Sequence, residues 1–593
     1  MGFEYALVHL KYTIPPALVL TLLYRPLFTK LDAYKILFLI TVAVVSTIPW
    51  DSYLIRNAIW SYPSHVIIGP KVLDIPLEEV FFFMIQTYNT SLLYLVLTKP
   101  TFHSVYLRVE RSDAHPLGAV NPRWRHYKMF GQMVFGVGIV AGWRMVKNNG
   151  HGTYTGLILV WAAPFLLLLW SLAYQFIIGL PLSNTVLPII IPTVYLWGVD
   201  TLALQRGTWV VTAGTKHGIH LWPGLDVEEA LFFLLTNTLI VFGQLAFDNA
   251  LAVLYTFPDL YPNPPALPSP SQLVQALLVP ASRYNKSRVV GLQDAVTRLK
   301  KKSRSFYLAS STFQGQIRTD LLLLYSFCRV ADDLVDNATS ASDASEWIAK
   351  LQRFLGIAYA DGEFRSRDLY NMLRNGFPKE THSALMQLPA RKLSRQHLED
   401  LLKGFETDVK FSKEKESPIQ TSADLELYAR RVAGTVAQMC LELIFNAYQS
   451  SMSGKDKDKI LAAGSRMGIA LQYVNIARDI KVDAKLGRVY LPTTWLDEAD
   501  LTYKSVLEHP WGPEVETVRS RLLDEAFKLY EGAREAIEEL PVEASGPMRV
   551  SVQSYMEIGR VLRQDGYVVK AGRATVPKWR RIMVARAALA GRV

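Results

Sequence analysis

The sequence predicts an all-α protein in two parts, a polytopic membrane domain followed by a helical bundle around a central cavity. Three observations predict it. Seven apolar runs, long enough to cross a bilayer or nearly so, fill the first 250 residues. From about residue 285 apolar positions recur with the helical period in long segments, with little strand signal and breaks near 338–344, 414–419 and 451–456. Between these parts the stretch 251–284 carries Pro258, Pro262, Pro264, Pro265, Pro268, Pro270 and Pro280, which reads as a semi-rigid linker.

Composition agrees. A chain of 593 residues exceeds one ordinary core. Half of the residues are apolar and the mean hydropathy is +0.13, an excess concentrated before residue 250. The formal charge of +11 forms no basic patch interleaved with aromatics, so no nucleic acid partner is expected; anionic lipid headgroups and diphosphates account for it. Cys328 and Cys440, the two cysteines, fall in helical sequence and imply no disulfide framework. Cys328 reads as a packed apolar side chain rather than a nucleophile. The first run has no basic segment before it and no small-residue cleavage site after it, so it is expected to remain as a span.

The runs fall at about 3–23, 34–50, 76–97, 130–146, 155–178, 183–200 and 226–247, of which 34–50 and 183–200 are short. The first three and last three, within repeats of about 1–100 and 151–250, correspond at an offset of about 150 residues. Trp50-Asp51 is echoed by Val199-Asp200, Trp60 by Trp209, and the segment 75–83 by 225–233, so that Glu78-Glu79 recurs as Glu228-Glu229. One span between the copies keeps them parallel and places all six acids at one membrane face. Acids opening a helix also suit its dipole, which is the plain structural reading. Duplicated pairs flanked by phenylalanines at the hydrocarbon boundary are costly enough to read as functional. Neighbouring carboxyls away from water retain a proton between them, which supplies a general acid.

Lys and Arg are frequent in 24–35 and 98–129, through Arg25, Lys30, Lys35, Lys99, Arg108, Arg111, Arg123, Arg125 and Lys128. The positive-inside bias places these loops and everything after the seventh span in the cytosol, although Arg56, Lys71, Arg144, Lys147, Arg206 and Lys216 count the other way. An endoplasmic reticulum or other endomembrane location is expected. Gly136-Val137-Gly138-Ile139-Val140-Ala141 fits a dinucleotide fingerprint loosely, but it lies within an apolar run and follows no strand. Close helix packing is the reading, and neither flavin nor nicotinamide is expected.

In the second part, Tyr325–Asp336 and Gln472–Asp483 both read as helix, where residues four apart share a face. Asp332 thus aligns with Asp336, and Asn475 with Asp479 and Asp483. A lone pair at this spacing usually solvates a surface. Two acidic ridges embedded in apolar sequence instead face one cavity, where carboxylates suit Mg²⁺, with Mn²⁺ as its substitute, shared with a diphosphate. Arg304, Arg329 and Arg478 are candidate diphosphate ligands, a salt bridge to Asp479 being an equal alternative for Arg478.

These residues carry a resemblance. The second part resembles the squalene and phytoene synthases, all-α enzymes of the isoprenoid synthase fold that join two prenyl diphosphates head to head. The match runs through Ser303-Arg304-Ser305-Phe306, Tyr325, Arg329, Asp332, Asp333, Asp336, Tyr428, Val432-Ala433-Gly434, Gly468, Gln472, Asn475, Asp479, Asp483 and the segment 486–492. It implies metal ligation by Asp332, Asp333, Asp336, Asn475, Asp479 and Asp483, and contact of Tyr428 with the reacting allylic group. It further implies a substrate cavity drawing on Ser303, Arg304, Phe306, Tyr325, Arg329, Val432, Ala433, Gln472 and Arg478, and condensation of two geranylgeranyl diphosphates through a cyclopropyl diphosphate to phytoene.

The first part resembles the lycopene cyclase region of the fungal and archaeal type. That resemblance implies a redox-neutral closure of lycopene ψ ends by acid and base, with Asp51, Glu78, Glu79, Asp200, Glu228 and Glu229 as catalytic candidates. Trp60, Phe82, Trp209 and Phe232 offer aromatic faces for the carbocation. Together the two parts resemble the fungal bifunctional lycopene cyclase/phytoene synthases, with residues 1–250 as cyclase, 285–593 as synthase, membrane lipid around the spans and a separate phytoene desaturase as pathway partner. The alternative is a squalene-synthase-like enzyme whose first part is a non-catalytic anchor or carotenoid carrier. The end of the chain, 560–593, is too interrupted to span, and Lys578–Arg586 reads as a solvated tail in preference to a membrane-surface contact.

Overall fold

Among the described residues, hydrophobic sequence in the first part folds into seven helices long and apolar enough to cross a bilayer. The computed structural model describes residues 2–107, 122–360, 365–413, 417–448, 453–564, 567 and 576–591. The chain divides into two compact units, Met1–Val289 and Val290–Val593. Parts of two predicted breaks (414–416 and 451–452), together with Arg108, Arg111 and the side chain of Arg123, lie outside the described residues.

The spanning helices of the first unit are α1 (Glu4–Leu27), α2 (Lys30–Arg56), α3 (Leu77–Thr98), α4 (Pro122–Asn148), α5 (Thr153–Gly179), α6 (Leu187–Gln205) and α7 (Val227–Thr256). Helix α2 opens on a capping box in which Thr29 and Asp32 satisfy each other's backbone N–H groups. It runs past Asp51 to Arg56, so Asp51 lies inside the helix rather than ending it, and Asp200 is likewise inside α6. Pro49, Pro164 and Pro192 stand within α2, α5 and α6, where each removes one backbone donor from the ladder.

Short strands, unforeseen in the sequence, order the loops after α2 and α6. The hairpin Lys71–Val72 with Ile75–Pro76 leads into α3, and its counterpart His220–Trp222 with Leu225–Asp226 leads into α7. A third pair joins the repeats, Trp60 opposite Val211 and Ser61 opposite Val210. Equivalent loops of the two copies therefore lie side by side, as parallel repeats require.

At the other end of the helices, Lys35 of α2 donates to Asp248 of α7 at 2.6 Å, and Tyr94 of α3 donates to the second oxygen at 2.6 Å. Both ionic side chains are buried. Lys35, counted above as a loop cation, is thus neutralised within the helix bundle.

The segment read as a linker is partly helical. Ser269 caps α8 (Pro270–Leu278), Pro270 occupies the first turn where no N–H is needed, and Leu273 and Ala276 are buried in the first unit's core. The prolines start a helix here as well as breaking one.

The second unit is a bundle that includes α9 (Arg304–Ser310), α10 (Gly315–Asp336), α11 (Arg395–Lys413), α12 (Thr435–Tyr448), α13 (Gly454–Lys485) and α14 (Val542–Leu562), all of which except α11 line the cavity. A π-helical turn, Arg430–Gly434, precedes α12. Its last residues touch α13 so closely that a Cβ on Gly468 would lie 2.5 Å from the Ala433 carbonyl oxygen. The final helix α15 (Lys578–Leu589) is no free tail: Ala585 and Ala588 are buried, Arg580 pairs with Glu557 at 2.6 Å, and Arg549 donates to the Ala588 carbonyl at 2.8 Å.

Candidate active sites

In the second unit, α10 ends on Asp332 and Asp336, α13 brings Asp479 and Asp483, and α11 adds Asp408. Asp408 is fully enclosed and accepts hydrogen bonds from Tyr428 at 3.0 Å and Tyr490 at 2.7 Å, whose rings stack with centroids 5.0 Å apart. Arg488 pairs with Asp336 at 2.9 Å. Burial, with Asp336 as like-charged neighbour, pushes the Asp332 carboxyl up to about 7. Burial and then Asp479 push Asp483 up to about 8, and burial raises Asp408 to about 6 against the pull of Arg488. A third of the Asp332 side chain remains open to solvent. Crowded carboxyls of this kind hold protons until a cation replaces them, which is the donor chemistry of a divalent ion.

Among the described residues no three acidic, His or Cys side chains converge on one point at coordination distance. The ridges are open walls rather than a closed cage; Asp332, Asp336 and Asp483 would hold a divalent cation that keeps other oxygen ligands.

Other predicted residues are engaged elsewhere. Asp333 lies around the helix from Asp332 and is held by Arg329 at 2.5 Å and Lys302 at 3.2 Å, with its carboxyl below the usual range despite burial. Arg329 also reaches Asp332 at 2.9 Å. Arg478 clasps Asp479 at 2.6 Å and Asn475 at 2.5 Å, so the salt-bridge reading is the arrangement present. Asn475 also accepts from Tyr555 at 2.9 Å. Ser303 caps α9 by accepting from the Phe306 N–H at 3.4 Å, and Arg304 is exposed beside Arg581.

Behind the acids lies an apolar cavity of about 320 Å³ whose lining includes Phe306, Tyr325, Val432, Ala433, Gln472 and Tyr555. Phe306 stacks on Tyr555 with centroids 5.2 Å apart. The π-helical turn widens the helix where Val432 and Ala433 face this space. Cys328 and Cys440 also line it, and burial pushes both thiols up, away from thiolate chemistry. Sequence reading passed over Asp408. Its signal was an acid on the buried stripe of an amphipathic helix, in register with Leu401 and Phe405.

In the first unit, Asp51, Glu78, Glu79, Asp200, Glu228 and Glu229 are all buried. Glu78 accepts from the Ile68 N–H at 2.6 Å, and Glu228 from the His217 N–H at 2.7 Å. Glu79 accepts from the hydroxyls of Tyr5 and Tyr62, the latter at 2.6 Å. Asp200 accepts from the Trp209 indole at 3.1 Å. One oxygen each of Asp51 and Asp200 has no hydrogen-bond partner among the described residues, and Glu229 has the Tyr154 hydroxyl close by without a well-formed hydrogen bond. Glu79, Asp51, Asp200, Glu229 and Tyr154 lie near enough to interact electrostatically, forming one cluster.

Aromatic rings enclose it. Tyr5 of the first repeat packs on Trp209 of the second at 5.2 Å, and Tyr154 of the second on Trp60 of the first at 5.9 Å. Trp60 meets Phe232 at 6.1 Å, and Phe82 meets Phe233 at 6.1 Å. The tyrosines were missed because one polar aromatic in an apolar run reads as an interfacial anchor. The repeat itself held the clue, since Tyr5 and Tyr154 stand at its offset.

Comparison with known proteins follows this division. The squalene/phytoene synthase family model matches residues 299–580. A solved dehydrosqualene synthase in complex with ligand is 21% identical, covers 51% of this chain and 96% of its own, and superposes with a TM-score of 0.41. Across nearly the whole chain, the bifunctional lycopene cyclase/phytoene synthase of Leptosphaeria maculans is 65% identical, covering 99% of each chain. That of Neurospora crassa is 48% identical over 98% of each. With paired acidic ridges beside an apolar cavity in one unit, a buried acid cluster among spanning helices in the other, and such identity end to end, this chain belongs to the bifunctional lycopene cyclase/phytoene synthases.

Proposed function

We propose that residues 285–593 condense two geranylgeranyl diphosphates head to head to phytoene, and that residues 1–250 close ψ ends of lycopene into β-ionone rings without net redox change. What carries the first activity is the set of acids Asp332, Asp336, Asp408 and Asp483, with Asp408 buried among them, beside an apolar cavity. What supports the second is an acid cluster buried among aromatic rings at one end of spanning helices, where ionisable groups are costly without a task.

In the synthase, Asp332, Asp336 and Asp483 would hold Mg²⁺, which supplies Lewis-acid assistance to the departing diphosphate. Asp333, Asn475 and Asp479 would join only by exchanging Arg329, Lys302 and Arg478 for metal, and those cations would then turn to diphosphate oxygens. Arg488 stands at the same place. Phe306, Tyr325, Val432 and Ala433 exclude water from the allylic cation. Tyr428 and Tyr490, fixed by Asp408, present their ring faces to the allylic group.

In the cyclase, a carboxyl proton adds to C2 of the ψ end, the C1–C6 bond closes, and a carboxylate removes the C6 proton. Trp60, Trp209, Phe82 and Phe232 stabilise the intervening cation. Desaturation must occur between the two activities, which gives a separate phytoene desaturase its place. Membrane lipid surrounds the spans, and the synthase faces the cytosol of an endomembrane.

The test is product analysis of the full-length protein in detergent, with geranylgeranyl diphosphate and Mg²⁺ in one reaction and lycopene without reductant in another. Phytoene and a cyclised carotene are expected. A reduced squalene-type product made only with NADPH refutes the synthase reading. Lycopene returned unchanged reduces the first unit to an anchor or carrier.

A further inference from the structure

Within the acid cluster the two repeats are not equivalent. Glu78 and Glu228 each spend an oxygen on a loop N–H, at Ile68 and at His217, and so tie the strand-bearing loops to the starts of α3 and α7. Their neighbours Glu79 and Glu229 face the shared cluster. Glu79 receives two phenol hydroxyls, from Tyr5 and Tyr62, the surroundings of a carboxylate. Glu229 has one phenol near it, that of Tyr154, in no well-formed hydrogen bond, and Asp200 as an acidic neighbour, surroundings that suit a neutral carboxylic acid. The asymmetry is written in the repeat: at the offset relating Trp60 to Trp209, Tyr62 corresponds to Val211. Each repeat's tyrosine also packs on the other's tryptophan, so neither copy closes a site alone.

Resting on the cyclase reading above, we propose that the repeats build one cyclisation site, in which Glu229 delivers the proton and Glu79 removes it, while Glu78 and Glu228 only fasten loops. The balance is closed. Glu229 loses a proton to C2, the C6 proton leaves to Glu79, and the electron pair of that C–H bond becomes the ring double bond. Glu79 then returns a proton to Glu229 through Asp51 and Asp200, whose unpartnered oxygens belong to the same cluster. One ψ end is handled per encounter, so a two-ring product requires the one-ring carotene to leave and re-enter by its other end.

The experiment compares Glu79→Gln, Glu229→Gln, Glu78→Gln and Glu228→Gln in the full chain, with lycopene as probe and phytoene formation by the same molecules as the check on folding. Glu79→Gln and Glu229→Gln should each lower cyclisation more than about a hundredfold, for first and second rings alike. Glu78→Gln and Glu228→Gln retain an amide oxygen for the loop N–H and should stay within about threefold of wild type. If either inner variant keeps about half of the activity, each repeat has its own site and the proposal falls. Equal inactivation by the outer variants overturns the division of roles. A wild-type protein that does not cyclise lycopene defeats the cyclase reading itself. Should Glu79→Gln fold poorly, Tyr62→Phe serves: a displaced pH–rate profile supports the assignment, and an unchanged profile refutes it.

Discussion

Raising the pH from 6 to 8 should tighten Mg²⁺ binding to the synthase unit by two to three orders of magnitude. Asp332 holds its proton to about pH 7 and Asp483 to about pH 8, each first because of burial and then because of a neighbouring acid. A cation bound by both must displace both protons below pH 7 and one between 7 and 8. The factor by which protons compete thus falls from roughly 10³ at pH 6 to roughly 2 at pH 8, and affinity levels off above. Without cation the sign reverses. Folded carboxyls hold protons more tightly than unfolded ones, so the stability they lend is complete below about pH 4 and is lost as the pH rises through 7 and 8. Calorimetric Mg²⁺ titration of the full-length protein at pH 6, 7, 8 and 9, in two buffers of different ionisation enthalpy, measures affinity and proton release together. Affinity that stays flat between pH 6 and 8 with no proton released would show that these two acids do not bind the metal.

Three further outcomes are expected. Lys35→Met leaves Asp248 charged and buried and should cost about 3–5 kcal/mol, whereas Lys35→Met with Asp248→Leu should recover most of it; equal melting temperatures for the two variants would exclude a buried ion pair. Gly468→Ala places a Cβ 2.5 Å from the Ala433 carbonyl oxygen and should cut phytoene formation while costing about 1–3 kcal/mol. Gly136→Ala, where the added atom meets nothing within 4 Å, should be silent, and thermal unfolding with product assay separates the cases. Asp408→Asn should slow phytoene formation about a hundredfold with lycopene cyclisation intact, and a normal synthase rate would make Asp408 a bystander.

What the sequence determined by itself was everything that rests on periodicity and repetition. Spans follow from apolar length, so all seven were legible, although their ends were not: helical hydrogen bonding carries α2 past Asp51 to Arg56 after hydropathy has fallen. The duplicated acids and the two Asp ridges were legible because helical spacing fixes which side chains share a face. The tertiary structure decided the pairings. Arg478 could be assigned to Asp479 or to substrate until both its neighbours were in place, and Asp408 had no local pattern beyond one acid on a buried stripe. Glu78 and Glu79 are adjacent and identical in kind. Only the chain's return, bringing the Ile68 N–H to one and the hydroxyls of Tyr5 and Tyr62 to the other, makes them different acids, because a carboxyl's chemistry is set by the donors around it and those donors lie far from it in sequence.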